Sequence, residues 1–247
     1  MKIIFLGTNG WYDSPTGNTI CILIETDEVS ILLDAGNGLF KANISIDRDK
    51  PVHLFISHTH LDHIIGLHLL NKFQFKKGLT IYGQPGIKSA LQTIFCFPYS
   101  MPFTNLSYPV EIEEVNGHYK NRDFEVQTAQ LNHSVPTIGF RISIQNKIIA
   151  YCPDTGYCDN AVKLALDSDL LIAECAYRPG EQNEQWPHLN PETAARIAIE
   201  AQAKQLALIH FDAHRYPTME SRHQAEQTAK TIFPNSIATI DDQIIEF

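Results

Sequence analysis

The sequence has few basic residues, and this excludes one broad class of protein. Its 19 Lys and Arg are outnumbered by 28 Asp and Glu, which leaves a formal charge of −9 with histidine neutral. Proteins that hold long nucleic acid on one face neutralise its phosphates with Lys and Arg. Long nucleic acid is therefore a disfavoured partner, although binding of RNA through a local basic patch stays open.

Long apolar runs and paired cysteines are also missing. No run approaches the roughly 18 apolar residues that a membrane span needs, so no membrane partner is expected. The five cysteines include no C-x-x-C pair, and a disulfide framework is not expected. Cys152 and Cys158 could together bind a metal ion, but thiols that are buried or have no chemical role are the more ordinary interpretation. The apolar start is too short for a secretory signal, which favours a cytoplasmic protein.

What the sequence does have is an ordinary globular composition, with 44% hydrophobic and 19% charged residues over 247 positions. A chain of this length can bury one sizeable core. Short strands rich in Ile, Val, Leu and Phe alternate with turn clusters and a few helical stretches, and no linker interrupts them. We therefore predict one domain over residues 1–247, of the α/β (α+β) class.

Five helices are predicted, at residues 62–71, 86–95, 160–166, 192–204 and 219–233. The helix after Asn190 has the clearest start signal, because Asn190 is a good N-cap and Pro191 suits the first helical position. The aromatic and proline-rich run at 95–103 breaks the regular pattern. A packed surface loop, a dimer contact and a wall of a substrate pocket are all open for it.

The most informative segment is His-Thr-His-Leu-Asp-His at residues 58–63, which follows an apolar strand and contains three of the eleven histidines of the chain. Side chains two residues apart on an extended chain point to the same side, so His58 and His60 can converge on one ion. Asp62 and His63 can then face a second ion. Imidazole and carboxylate ligands suit zinc, and also iron or manganese.

Four donors in one loop cannot complete two coordination shells, so the fold must supply others. Three candidates come directly after apolar runs, namely His133, Asp154 and His210. In a layered α/β protein, groups at the carboxyl ends of strands collect at one edge, where sites usually form. Each residue alone is more often structural, but together with the loop they form a set of the right size.

The 58–63 run resembles the H-x-H-x-D-H motif of the metallo-β-lactamase superfamily, and His133, Asp154 and His210 occur in the order of its later ligand motifs. The resemblance covers nearly the whole chain. It implies a four-layer αββα sandwich with a site for two divalent metal ions. It also implies the ligand sets: His58, His60 and His133 on one ion, Asp62, His63 and His210 on the other, and Asp154 bridging both.

Within that superfamily the chain is similar to the ribonuclease Z-like phosphodiesterases, where a matching glutamate and histidine protonate the leaving group. The resemblance implies this role for Glu174 and His188. The residues themselves agree, because His188 lies just before a helix N-terminus, which favours a phosphate oxygen. A nearby carboxylate can keep its imidazole protonated as a general acid. A structural His188 and a solvent-facing Glu174 are the ordinary alternatives.

The chain departs from the tRNA-processing members of that branch in one informative interval. They carry a long tRNA-gripping arm between the third histidine motif and the bridging aspartate, whereas here the interval is 154 − 133 = 21 residues. No arm fits in it. Asn37 and Asn190 also stand where an acidic and a small hydroxyl residue are usual.

The sequence therefore predicts a metal-dependent hydrolase, a phosphodiesterase that uses a metal-bridging hydroxide on a small or exposed phosphodiester. Zinc is the expected metal, with manganese or iron open, and Asp62 would orient the hydroxide besides binding metal. Three alternatives stay open: a tRNA 3′ endonuclease, a hydrolase of a thioester, lactone or β-lactam on the same fold, and a non-catalytic binding module. A homodimer is implied by the resemblance alone.

Overall fold

The chain forms two compact units, each containing one seven-stranded sheet, in a computed structural model that describes residues 1–247. The first unit comprises Met1–Gly7, Asn18–Val115 and Asp241–Phe247. The second comprises Thr8–Gly17 and Asn116–Ile240. The mixed sheets and their helices confirm the predicted α/β class, and the single domain over 1–247 stays a prediction.

The sheet of the first unit combines antiparallel and parallel strands. Its spatial order is β16 (Ile244–Glu246), β1 (Lys2–Gly7), β3 (Cys21–Glu25), β4 (Ser30–Leu33), β5 (Val52–Phe55), β6 (Leu79–Gly83) and β7 (Val110–Glu114). The last four strands run parallel. The helices are α1 (Ala42–Ser45), α2 (Leu61–Ile64) and α3 (Ile87–Ile94), with 3₁₀ turns at Asn37–Lys41, Ile65–Lys72 and Phe103–Asn105.

The sheet of the second unit has the same mixture. Its spatial order is β15 (Ser236–Ala238), β13 (Leu206–Ile209), β12 (Leu170–Glu174), β11 (Lys147–Cys152), β10 (Ile138–Ile144), β9 (Phe124–Gln130) and β8 (His118–Lys120). A two-residue strand β2 (Asn9–Gly10) pairs with β14 (Phe211–Asp212). The helices are α4 (Asp159–Ala165), α5 (Pro191–Glu200) and α6 (Met219–Ile232). No helix of the protein has the length and apolarity to cross a membrane.

The parallel strands form because their sequences are nearly continuous apolar runs, as expected for strands covered on both faces. Every residue of β4 and β12 is buried. Complete burial of one Leu or Ile side chain contributes about 1.5–3 kcal/mol, so these short strands anchor the two cores. Polar residues that follow such strands are therefore held on a rigid base.

Four of the five predicted helices are confirmed, with shifts at their ends that have local causes. The α5 helix begins as predicted, since the Asn190 side chain accepts from Thr193 N and Pro191 occupies the first turn. It ends at Glu200, before the predicted residue 204, because Gln202 has a φ of 53°. Such a left-handed residue ends a helix, and Ala203 N correspondingly donates to Ala198 O at 3.0 Å.

Two parts of the chain differ from the sequence prediction. The helix predicted at 62–71 is split into α2 and a 3₁₀ turn, where Gly66 lies so close to Gly36 O that a β-carbon on it would be 2.3 Å away. Strands β7 and β8 are short and carry exposed charged residues, so no apolar run in the sequence predicts them. The 95–103 run buries Phe95 and Phe103 and exposes Phe97 and Tyr99.

Arg222 on α6 holds the first loop of the second unit in place, and it is the largest fully buried side chain. Its guanidinium donates to Thr8 Oγ1 at 2.9 Å, to Thr16 Oγ1 at 3.3 Å and to Asn9 Oδ1. Its Cζ also lies 4.6 Å from the ring centroid of Phe211. A buried cation is tolerated when its donors are used in this way.

We expect Arg222→Met to lower the free energy of unfolding by about 3 kcal/mol, because it removes the donor from several buried oxygens. Urea unfolding followed by circular dichroism measures the shift. Arg122→Met is the matched control, since its side chain is 90% exposed, and its effect should stay within about 0.5 kcal/mol. An unfolding midpoint of Arg222→Met equal to that of the control would contradict the stabilising role.

Candidate metal centre

The first unit contributes the donors of the 58–63 loop. Strand β5 is followed by two buried residues before His58, and α2 begins at Leu61, so the loop bends sharply and gathers its polar side chains. The ligand atoms of His58 and His60 lie within 4.8 Å of each other, as do those of Asp62 and His63. His58 and His63 are fully buried. The sequence assigns these two pairs to two different ions, and that assignment stays a prediction.

The buried Asp34 organises these histidines. It follows β4, and its carboxylate accepts from Ser57 N and Ser57 Oγ, each at 2.8 Å, and from His63 Nδ1 at 2.8 Å. The Ser57 hydroxyl gives its one proton to Asp34, so it accepts from His58 Nδ1, 3.0 Å away. Both imidazoles therefore present Nε2 with a lone pair, which is the tautomer that a metal ligand needs.

The second unit contributes three donors that follow strands of one sheet. Asp154 follows β11 and His210 follows β13, while His133 follows β9. The two carboxylate oxygens of Asp154 face different histidines: Oδ2 lies 3.6 Å from His133 Nε2 and Oδ1 lies 3.1 Å from His210 Nε2. A carboxylate directed to two sides in this way suits a bridging ligand.

His210 is held by a close backbone approach. A β-carbon on Gly10 would lie 2.5 Å from Cε1 of the His210 ring, so only glycine fits at that position. His210 itself has a φ of 54°, in the left-handed region that bulky residues seldom adopt. Backbone conformations of this kind persist where the surrounding structure fixes a functional side chain.

Glu174 and His188 are brought together as predicted. His188 Nδ1 donates to Glu174 Oε1 at 2.7 Å. The same carboxylate accepts from Thr155 N at 2.7 Å and from Ala176 N at 3.0 Å, so both of its oxygens have backbone donors. Glu174 is completely buried, which excludes the solvent-facing alternative.

The His188 ring is buried, and its surroundings favour the protonated form. Its Nε2 is buried and has no hydrogen-bond partner in the protein. Burial of the ring disfavours the charged form, but the adjacent Glu174 carboxylate outweighs it and raises the pKa of His188 from 6.5 to about 9. The ring stacks on His210 with centroids 6.2 Å apart and lies 5.1 Å from the ring of His133. A protonated Nε2 thus lies beside two metal-ligand candidates.

Asp212 and Cys152 have structural roles. Asp212 is buried and accepts from His214 N and Arg215 N, so it shapes the loop after His210. Cys152 lies in the core, where burial raises the pKa of its thiol. A thiol of this kind is a poor metal ligand, and the ordinary interpretation of the cysteines fits better.

Asp34 and Gly10 are site residues that the sequence motifs do not include. Asp34 is an acid directly after an apolar strand, and the same signal predicts a site role for Asp154. Gly10 had no signal of its own, because its proximity to His210 arises from the pairing of β2 with β14.

Comparison with known proteins assigns the fold and its family. The model of the beta-lactamase superfamily domain matches residues 30–211. The chain belongs to this superfamily. A ribonuclease Z from Bacillus licheniformis is 27% identical, with 98% of this chain and 97% of the relative aligned. This similarity confirms the resemblance to the ribonuclease Z-like branch.

Solved structures confirm the metallo-β-lactamase fold. The metallo-beta-lactamase fold protein YhfI from Bacillus subtilis has a TM-score of 0.82 at 23% identity, with 99% of each chain covered. The human tRNase Z, short form, has a TM-score of 0.78 at 22% identity, with 100% of this chain and 99% of that chain covered. The predicted αββα fold class is confirmed, and the superfamily identifies the protein as a metal-dependent hydrolase.

Divalent metal ions fit the donors of both units. Buried imidazoles and carboxylates are the ligand types that such ions take, and the Asp34–His63 contact is the carboxylate–histidine arrangement that orients a metal ligand. The identity of the metal does not follow from these ligand types, because zinc, manganese and iron all accept them.

We expect Asp34→Asn to weaken metal affinity 10- to 100-fold, because an amide cannot accept equivalently from Ser57 and His63. Asparagine tolerates the left-handed backbone of this position, where φ is 54°, so the substitution leaves the chain path intact. Competition for zinc against a chromophoric chelator measures the affinity. Asp47→Asn, an exposed control, should bind as the unmodified protein does, and equal affinity of both variants would contradict the role of Asp34.

Proposed function

We propose that the protein is a dinuclear metal phosphodiesterase that acts on a small or exposed phosphodiester. The observation that supports this most strongly is the buried Glu174–His188 pair, with Nε2 of His188 unpartnered beside His133 and His210. A phosphodiester of an ordinary alcohol loses an alkoxide, and such a leaving group must be protonated by a general acid. The sequence similarity to ribonuclease Z agrees with phosphodiester chemistry.

The proposed ligand sets are those that the superfamily resemblance implies: His58, His60 and His133 for one ion, Asp62, His63 and His210 for the other, and Asp154 for both. Two bound ions would polarise the phosphoryl group and lower the pKa of a coordinated water. Asp62 would orient the attacking water, in addition to its role as a ligand. The negative net charge is no obstacle, because the local field at a metal site is set by the ions.

Two residues of the second unit, Glu174 and His188, would together protonate the leaving group. Glu174 fixes the ring of His188 through Nδ1 and keeps it protonated. Nε2 then donates its proton to the departing oxygen. The helix α5 begins shortly after His188, and its first N–H groups and dipole would favour a substrate phosphate nearby.

Several finer properties are proposed with this function. Zinc is the expected metal, since its ligand preferences match the donors, with manganese or iron as alternatives. A homodimer and a cytoplasmic location stay predictions. A hydrolase of a thioester, lactone or β-lactam remains the alternative on the same fold, and of these substrates a thioester would need no acid at His188.

A tRNA 3′ endonuclease is the second candidate, and the ribonuclease Z similarity favours it. The alignment with the Bacillus licheniformis enzyme extends over 304 positions, so at least 304 − 247 = 57 of them have no residue from this chain. In the interval between His133 and Asp154, the strands β10 and β11 are joined by a turn of two residues. No tRNA-binding arm is present in that interval, which is why we favour a smaller substrate.

We expect His188→Ala to lower hydrolysis of a dinucleoside monophosphate such as UpU by about 10²- to 10⁴-fold in kcat. Its effect on bis(p-nitrophenyl) phosphate should be much smaller, because nitrophenolate departs without protonation. Steady-state assays of the metal-loaded protein measure both. His223→Ala, on the exposed face of α6, is the control. An equal loss on both substrates would contradict a general acid, and no turnover of either with zinc, manganese or iron would contradict the phosphodiesterase.

A substrate panel separates the candidate functions. We expect the metal-loaded protein to hydrolyse small phosphodiesters faster than thioesters, lactones or β-lactams, and to leave a precursor tRNA with a 3′ trailer largely uncut. Rates per metal-loaded site, compared at equal substrate concentration, decide the order. Efficient cleavage of the precursor tRNA would instead assign the endonuclease, and a preference for acyl substrates would assign the other branch of hydrolases.

A further inference from the structure

The only two tryptophans of the chain lie together on the surface of the second unit. Trp11 is 55% exposed and Trp186 is 38% exposed, and their ring centroids are 6.2 Å apart with planes tilted by 50°. Tyr12, beside Trp11, is 49% exposed. Tryptophan is normally highly buried, and a cluster of exposed aromatic rings marks a surface that binds something.

The loop that carries Trp11 is fixed from beneath. Asn9 is buried, and its Nδ2 donates to Tyr12 O at 3.2 Å, to Ser14 Oγ at 2.9 Å and to Gly17 O at 2.8 Å. Asn9 Oδ1 in turn accepts from the buried Arg222. Trp11 has a φ of 72°, an uncommon conformation for a bulky residue. A buried polar network therefore imposes the exposed position of this indole.

The loop that carries Trp186 is fixed in the same manner. Trp186 O accepts from Tyr177 Oη at 2.6 Å, and Trp186 N donates to Asn183 O at 3.3 Å. Further back in the loop, Glu181 O accepts from Asn190 Nδ2 at 3.0 Å, while Glu181 Oε2 accepts from Arg215 Nε at 2.9 Å. The side chain is thus presented by a pre-organised segment, as a binding residue should be.

The position of the pair suggests its ligand. The ring centroid of Trp186 lies 6.3 Å from that of His133 and 6.2 Å from that of His188. In the proposed function, His188 is the group that faces the departing oxygen. A planar group attached to the same phosphodiester would therefore come within reach of the two indoles, and every nucleobase has such a planar face.

We propose that Trp11 and Trp186 form a stacking site for a nucleobase of the substrate, so that the preferred phosphodiester carries a nucleoside. Stacking on an indole needs no particular pattern of hydrogen bonds, and it would select for a base without selecting which one. The site would act on binding and leave the chemical step to the residues already described. The substrate class in this inference rests on the proposed phosphodiesterase, whereas base binding can be measured independently of turnover.

Binding is tested with the metal-loaded protein by quenching of intrinsic fluorescence, using uridine 5′-monophosphate and, as the probe without a base, ribose 5-phosphate. We expect the uridine nucleotide to bind about tenfold more tightly than the sugar phosphate. Trp186→Ala should lower the affinity for uridine 5′-monophosphate about tenfold, and calorimetry measures the affinity of this variant. Trp186→Phe should keep most of the affinity of the unmodified protein. Trp11→Ala should have a similar effect. Tyr99→Ala is the control, because that ring is 83% exposed but lies in the first unit.

Hydrolysis provides a second readout. UpU and uridine 3′-(methyl phosphate) share the retained uridine 3′-phosphoryl group, and their departing alcohols differ in the presence of a base. Trp186→Ala should raise KM for UpU about tenfold, with kcat for UpU and both constants for the methyl ester nearly unchanged. Equal affinity for the two binding probes, or tryptophan variants that keep nucleotide affinity within twofold, would overturn the inference. A change of oligomeric state in these variants would also overturn it, by showing a contact between copies.

The outcomes separate this inference from the proposed function. Base-dependent binding without hydrolysis of any phosphodiester leaves the stacking site standing and removes the phosphodiesterase. Hydrolysis of UpU and of uridine 3′-(methyl phosphate) at similar KM, without base-dependent binding, leaves the phosphodiesterase standing and removes the stacking site.

Discussion

Buried carboxylates at the ends of parallel strands are the constraint on which the site depends. An ionised acid away from water must be surrounded by donors, or its burial costs more than the fold can offset. Asp34 and Glu174 each meet this requirement with two backbone or hydroxyl donors and one imidazole. The acid thereby fixes the ring, its tautomer and the direction of its second nitrogen. The contacts that stabilise the buried carboxylate are therefore the same contacts that orient the histidine for its function.

The strand order makes this arrangement available. In the second unit, β11, β12 and β13 are parallel neighbours, and they are followed or ended by Asp154, Glu174 and His210. In the first unit, the parallel β4 and β5 place Asp34 beside Ser57. Parallel strands end at a common edge, so residues far apart in the sequence become neighbours without any long loop. The apolar runs that form these strands therefore determine where the polar residues of the site lie.

This explains what could be predicted from the sequence. The motif at 58–63 and the acids and histidines after apolar runs carry local signals, and so does the start of α5 at Asn190 and Pro191. Contacts across the chain carry none: Arg222 and Asn9 are 213 positions apart, and neither has a periodic pattern around it that predicts the other. Asp34 combines a local signal with a distant contact. Its position after an apolar strand is typical of a site residue, but its contact with His63 can be identified only in the three-dimensional structure.

The buried guanidinium of Arg222 has a consequence for how the second unit moves. Because it bonds to Thr8, Asn9 and Thr16 from α6, the surface loop at 8–17 cannot open without breaking the same buried network that holds the helix. Surface loops ordinarily exchange their amide hydrogens through local fluctuations at low free energy. Here the amides of the loop should exchange with the cooperative unit that contains α6, although the loop projects the indole of Trp11 into water.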